Sequence, residues 1–110
     1  MNPQGVKRKL TAILSADVVG YSRLMGENDA ATVRTLGEYR EVIANTIIQY
    51  LGRVVDSPGD NLLAEFASVV DAVQCATEIQ RELAERNTDI PAARKMEYRI
   101  GVNLGDVIQE

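Results

Sequence analysis

The stretch ILSADVVG, Ile13 to Gly20, constrains the fold more than any other part of the chain. It closes a nearly continuous apolar run, Leu10 to Val19, which holds few polar side chains. Such a run predicts a first strand buried on both faces, and therefore a central strand. Yet the run carries Asp17 near its end, and Gly20-Tyr21-Ser22 bends the chain at once. A carboxylate beside a sharp turn is an expensive way to end a buried strand unless something there needs it.

The rest of the chain supplies the partners for that strand. Gly20 and Gly26 bracket a short turn-like segment of about one helical turn. Asn28 or Asp29 offers the short polar side chain that caps a helix. Val33, Leu36, Arg40, Ile43, Ile47 and Leu51 follow at three- and four-residue spacing, mostly apolar, with Gly52 as the stop. The first long helix is thus expected from Ala30 to Leu51. Arg53 to Asp56 and Leu62 to Phe66 read as short strands joined by Ser57-Pro58-Gly59-Asp60-Asn61, a turn composition. Ser68 caps a second helix, with Asp71 as an acidic form of the capping box. Its expected buried stripe is Val69, Val73, Ala76, Ile79 and Leu83. Asn87 to Ala93 reads as a polar loop, Lys95 to Asn103 as a strand, Gly105-Asp106 as a turn and Val107-Ile108 as the start of another strand.

The order is β-α-β-β-α-β. It predicts an α+β, ferredoxin-like antiparallel sheet with helices on one face. A length of 110 residues suits one domain with one modest core. Residues 1–8 are expected to be a flexible terminus and 9–110 the domain.

Composition removes several kinds of chemistry. The chain has no histidine, which rules out a Ser-His-Asp triad and most zinc sites. Its net charge of −4 gives no basic face for nucleic acid. Lys7-Arg8-Lys9 reads as solvated charge at a terminus. No apolar run approaches the roughly 20 residues of a membrane span, so no membrane segment and no secretion signal are expected. The one cysteine, Cys75, cannot form an internal disulfide, and this fits a cytoplasmic protein with a buried structural thiol. The charges of EIQRELAERN read as a solvated helix face.

What remains is the pair of acids. The expected topology sets the first strand beside the strand that precedes the hairpin turn, which brings Asp17 and Asp60 to one edge. Two adjacent carboxylates repel, and one takes a proton unless a cation lies between them. Oxygen-only donors favour Mg²⁺ or Mn²⁺, which keep open positions for substrate phosphates. A pair of such ions stabilises both the attacking and the leaving oxygen of a phosphoryl displacement. Gly20 admits close backbone approach, and the N–H groups of Gly20, Tyr21 and Ser22 form a candidate phosphate cradle. The plain alternative stands beside this: an Asp before a turn commonly caps local N–H groups, and GDN is an ordinary hairpin tip.

Three stretches, ILSADVVGYSRLM, GRVVDSPGDNLLAEFASVVDAVQCATEIQ and YRIGVNLGDVI, resemble the catalytic domain of class III nucleotide cyclases, the adenylate/guanylate cyclase family. The resemblance runs from about Lys9 to the C-terminus. It implies conversion of ATP or GTP to a 3′,5′-cyclic nucleotide and pyrophosphate. It implies that Asp17, the backbone carbonyl of Val18, and Asp60 bind two metal ions, Mg²⁺ or Mn²⁺. It implies that Gly20, Tyr21 and Ser22 contact the triphosphate, and that the active site forms between the two chains of a homodimer. Family members of this kind carry other modules after the domain.

Two departures stand out. Adenylate cyclases have an adenine-reading lysine four residues before the second aspartate; here the position holds Asp56, an acceptor suited to the N–H donors of guanine and equally well read as a solvated strand residue, so the choice between ATP and GTP stays open. The family's transition-state residues belong to a later part of the domain, past Glu110. The chain alone is therefore expected to be inactive or nearly so, because losing donors aimed at developing charge costs orders of magnitude in rate. A non-catalytic dimerisation or nucleotide-sensing module of the same fold is the competing expectation. A diguanylate cyclase would need a glycine-glycine-acid-acid tip where this chain has PGDN. Asn103 and Asp106 are read as turn or cleft residues.

Overall fold

The computed structural model describes residues 7–109, with side chains described from Leu10 to Gly105. The elements run β1 (Lys7–Val18), α1 (Tyr21–Glu27), α2 (Asp29–Gln49), β2 (Arg53–Asp56), β3 (Leu62–Phe66), α3 (Val69–Asn87) and β4 (Tyr98–Gln109), with a 3-10 turn at Ala92–Arg94. The four strands form one sheet in the order β2-β3-β1-β4, and every ladder is antiparallel. This is the ferredoxin-like arrangement. β1 lies beside β3, the strand after the hairpin turn, and not beside β2, which takes the edge. β1 begins at Lys7, inside the segment expected to be loose; residues 1–6 lie outside the described residues.

β1 is central, but it is not buried on both faces. Ala12, Leu14, Ala16 and Val18 are buried, whereas Ile13, Ser15 and Asp17 are half-buried. The alternation puts one face against the helices and leaves the other partly open. α3 touches β1, β3 and β4, and α2 packs on α3 and β2. The core joins Leu14, Val18, Leu24, Ile43, Ile47, Phe66, Ile79 and Leu83 among others. Burying each large aliphatic or aromatic side chain contributes about 1.5–3 kcal/mol.

The helices begin as expected, and Leu36, Ile43, Ile47, Ile79 and Leu83 are buried as expected, but the edges of the buried faces differ. The Asn28 side chain accepts from Ala31 N–H at 3.0 Å, and Ser68 Oγ accepts from Asp71 N–H at 3.3 Å. On α2 the buried residues are Thr32, Leu36, Tyr39, Ile43, Thr46 and Ile47, while Val33 and Leu51 are exposed. Buried threonines fit this face because their hydroxyls reach carbonyls one turn back: Thr32 Oγ1 lies 2.8 Å from Asn28 O, and Thr46 Oγ1 lies 2.8 Å from Val42 O. On α3 the buried stripe is Ala72, Cys75, Ile79, Leu83 and Asn87, so Val69 and Val73 face outward. Asn87 ends the helix instead of opening a loop. It is buried, accepts from Tyr39 Oη at 2.7 Å and donates to Met96 O at 2.9 Å.

Two further expectations change. α1 is a true helix of two turns. β4 is continuous through Gly105 and Asp106, because it pairs with β1 all the way to Lys7 opposite Gln109. No turn interrupts it, and no fifth strand begins at Val107. The helix stop at residues 51–52 also works differently. Leu51, not Gly52, takes the left-handed conformation (φ 67°), with Gly52 N–H donating to Ile47 O at 2.8 Å. Gly52 is required by packing: a Cβ there would lie 2.4 Å from the Phe66 ring.

Candidate functional site

Topology and turn chemistry bring the two acids to one rim. β1 delivers Asp17 on its half-open face, directly opposite Arg99 of β4. The β2–β3 hairpin turns over Pro58 to Asn61, with Asn61 N–H donating to Pro58 O at 2.9 Å and Gly59 at φ 57°. Proline and a positive-φ glycine are what so tight a turn demands. The turn carries Asp60 back onto β1, where its Oδ2 accepts from Val18 N–H at 3.2 Å. The carboxylate of Asp60 thus sits against the peptide group that joins Asp17 to Val18.

A cation already faces both acids. Arg99 Nη2 donates to Asp17 Oδ2 at 2.7 Å. The guanidinium is held in its charged form first by that hydrogen bond and the Asp17 charge, and in smaller measure by the charge of Asp60. Arg99 is 72% exposed and Asp17 36%, so the pair lies in solvent and is easily rearranged. Beside it opens a cavity of about 340 Å³ lined by Asp17, Ser15, Pro58, Asn61 and Leu63, among others. A slightly larger cavity, about 390 Å³, lies among Thr35, Tyr39, Arg86 and Arg94 on the helix side. It holds one carboxylate, Glu38, and no convergent pair, so the chemistry favours the rim.

The remaining expected residues separate. Gly20 adopts φ 67° and opens α1, with its carbonyl accepting from Leu24 N–H at 3.1 Å. A side chain there would be strained. The first N–H groups of α1, those of Tyr21 and Ser22, have no partner within the helix. Tyr21 packs partly against the core, and Ser22 is exposed. Asp56 stands apart: it is exposed at a bulge of the edge strand, and its Oδ1 accepts from the neighbouring Ser57 N–H at 2.9 Å. No hydrogen bond or ion pair among the described residues links it to the Asp17/Asp60 rim. Asn103 lies within β4, and Asp106 has its backbone there, opposite Leu10.

Sequence reasoning missed Arg99, Tyr98 and Arg40. Arg40 Nη2 donates to Ser57 O at 3.2 Å and so ties α2 to the hairpin loop. Beneath the rim the Tyr98 hydroxyl is buried with no partner among the described residues, as is Arg40 Nε. Burial pushes the Tyr98 phenol up to about 12; the Arg40 charge opposes this and that of Asp60 adds to it. The one sequence signal was an arginine on the open face of an alternating strand, and it meant nothing until the register was known.

Among the described residues no group of three or more His, Cys, Asp or Glu side chains converges. The carboxylates at the rim are those of Asp17 and Asp60. Oxygen donors of that kind suit a hard ion that completes its shell with water or phosphate oxygens. The donors therefore fit Mg²⁺ or Mn²⁺ more readily than a metal that needs an all-protein cage.

No family model matches the chain. It is 44% identical over its whole length to a protein of Rhizobium meliloti (strain 1021) named "Putative adenylate cyclase 3", of which it spans 19%. Among solved structures it matches an adenylate/guanylate cyclase/hydrolase from Silicibacter pomeroyi with a TM-score of 0.85 and 41% identity, covering 96% of this chain and 62% of that one. It matches the guanylyl cyclase Cya2 with a TM-score of 0.81 and 27% identity, covering 94% of this chain and 58% of that one. The chain thus spans less than two thirds of the relatives it matches. Among the described residues no helix is long and apolar enough to cross a membrane.

Proposed function

Because the chain belongs to the class III adenylate/guanylate cyclase domain family, we propose that its Asp17/Asp60 rim is the metal- and triphosphate-binding half of a nucleotide cyclase site. The observation that supports this most is the hydrogen bond from Val18 N–H to Asp60 Oδ2, which joins the two acid-bearing turns across the sheet. The substrate is ATP or GTP. The reaction is attack of the ribose 3′-oxygen on the α-phosphorus, with pyrophosphate leaving. Two bound Mg²⁺ or Mn²⁺ ions would offset the triphosphate charge.

The chain's own groups prepare that chemistry. Asp17 and Asp60 present carboxylate oxygens from two different elements, and the Val18 carbonyl adds a third ligand. Gly20 is left-handed and opens α1 directly after β1, and in this reading the N–H groups of Tyr21 and Ser22 would hold phosphate oxygens. The reading leaves base choice open: Asp56 favours guanine by its chemistry, yet its carboxylate is turned onto Ser57. In this reading the transition-state donors come from later parts of the family's domain or from a second copy, and the working enzyme is a homodimer acting in the cytoplasm.

The test uses a polypeptide that extends past Glu110 to the length of the Silicibacter relative. It is assayed for cyclic AMP and cyclic GMP with Mg²⁺ or Mn²⁺. Asp17→Ala should lower kcat/KM at least about 100-fold, the scale of losing one charge-stabilising group. Turnover unchanged by Asp17→Ala would refute the assignment. The 110-residue chain assayed alongside should show little or no turnover.

A further inference from the structure

The rim carries a cation of its own. Arg99 and Asp17 face each other as a cross-strand pair on the open side of the β1–β4 ladder, and the 2.7 Å contact uses one of the two Asp17 carboxylate oxygens. The register fixes this pairing. The ladder runs in step from Lys7 opposite Gln109 to Val18 opposite Tyr98, so Arg99 cannot slip to another partner without moving the whole strand. Asp60 lies within the electrostatic reach of the same guanidinium. The contact itself is weak. At 72% exposure Arg99 is well hydrated and can swing into solvent about its four side-chain torsions.

We infer that Arg99 is an internal counter-ion that competes with a divalent ion for Asp17 and so sets the metal affinity of the rim. This rests on the proposed metal role of Asp17 and Asp60 and adds a positioning residue to it. Two effects act in the same direction. Arg99 must leave an Asp17 oxygen before a metal can take it. Its charge also repels an incoming cation while it remains nearby. Competition of this kind weakens the binding of the free ion, and a ligand that brings further negative charge, as a triphosphate does, would favour filling.

The measurement is a Mg²⁺ titration of the ¹⁵N-labelled 110-residue chain at fixed ionic strength, following the amide shifts of Val18 and Asn61. Arg99→Gln should lower the half-saturating Mg²⁺ concentration about three- to tenfold, the scale of one exposed ion pair plus relief of repulsion. Arg99→Lys keeps the charge and should stay within about twofold of the parent. Asp17→Asn should abolish the saturable shift in either background. If Arg99→Gln binds no tighter while Asp17→Asn still abolishes binding, the counter-ion role is wrong and the metal site stands. If lysine behaves like glutamine, charge is not the cause and the inference fails. A shift that survives Asp17→Asn, or none in any variant, overturns the metal site and the inference with it.

Discussion

The floor beneath β3 and the rim above it obey different rules. Under β3, Phe66 is 1% exposed, and its ring lies so close to the backbone of residue 52 that not one carbon can be added there. At the rim, Asp17 and Arg99 meet in solvent, and Asp60 is held to β1 by one 3.2 Å hydrogen bond. The floor is fixed by close packing, where every displaced atom is felt. The rim is fixed by topology, which sets the backbone, and by charges that can exchange partners. A site of the kind proposed, which would take up and release ions and phosphates, is better built the second way, on a support built the first way.

Substitutions separate the two regions by size of effect. The largest loss of stability should come from Gly52→Ala. The new Cβ meets a buried aromatic ring that cannot give way, and overpacking of that kind costs about 3 kcal/mol. The entropic gain of replacing glycine is about 0.4–1 kcal/mol and does not offset it. Urea unfolding measures the difference; a variant as stable as the parent would show that the floor is looser than described.

Next comes the alkaline limb. The folded Tyr98 phenol is pushed up to about 12 from an ordinary value of 10.0, so the unfolded chain loses its proton first. The folded state keeps the neutral form's advantage below pH 10 and loses it as pH rises through 12. The loss amounts to roughly 2–3 kcal/mol at 1.36 kcal/mol per unit. Tyr98→Phe removes a buried hydroxyl that has no partner among the described residues. That variant should be at least as stable as the parent at pH 8 and should show a flatter decline between pH 10 and 12. An unchanged decline would place its origin elsewhere.

The smallest effect belongs to the rim. Asp60→Ala loses one partly buried hydrogen bond, worth about 1 kcal/mol. It should leave the fold intact while removing the Mg²⁺-dependent shift at Val18. If it unfolds the chain instead, the rim is part of the core and the contrast drawn here is wrong.

Much of this was visible along the chain. Asn28 and Ser68 announced their helices because a cap needs only a short polar side chain and the next few N–H groups. The hairpin followed from Pro58-Gly59-Asp60-Asn61, and the family resemblance from three ordered motifs. Leu36, Ile43, Ile47, Ile79 and Leu83 were read correctly, but the margins of the helix faces were misplaced because the apolar count favours Val33, Val69 and Val73, whereas Thr32, Thr46 and Ala72 are buried. A threonine that bonds its own helix behaves as a small apolar residue, and a composition pattern does not register that. The turn read at Gly105-Asp106 failed for the opposite reason: the long β1 ladder outweighed a local preference for bending.

By itself the sequence determined the element order, the caps, the hairpin tip and the presence of one acid near the end of an apolar strand and another in the hairpin turn. Each of these depends on neighbours within a few residues, where propensity and turn chemistry decide. Only the tertiary structure decided that Asp60 rests on the Val18 amide, that Arg99 stands opposite Asp17, and that Gly52 exists for Phe66. Those pairings join residues far apart in the chain, and they are fixed by sheet register and close packing, which no local pattern encodes.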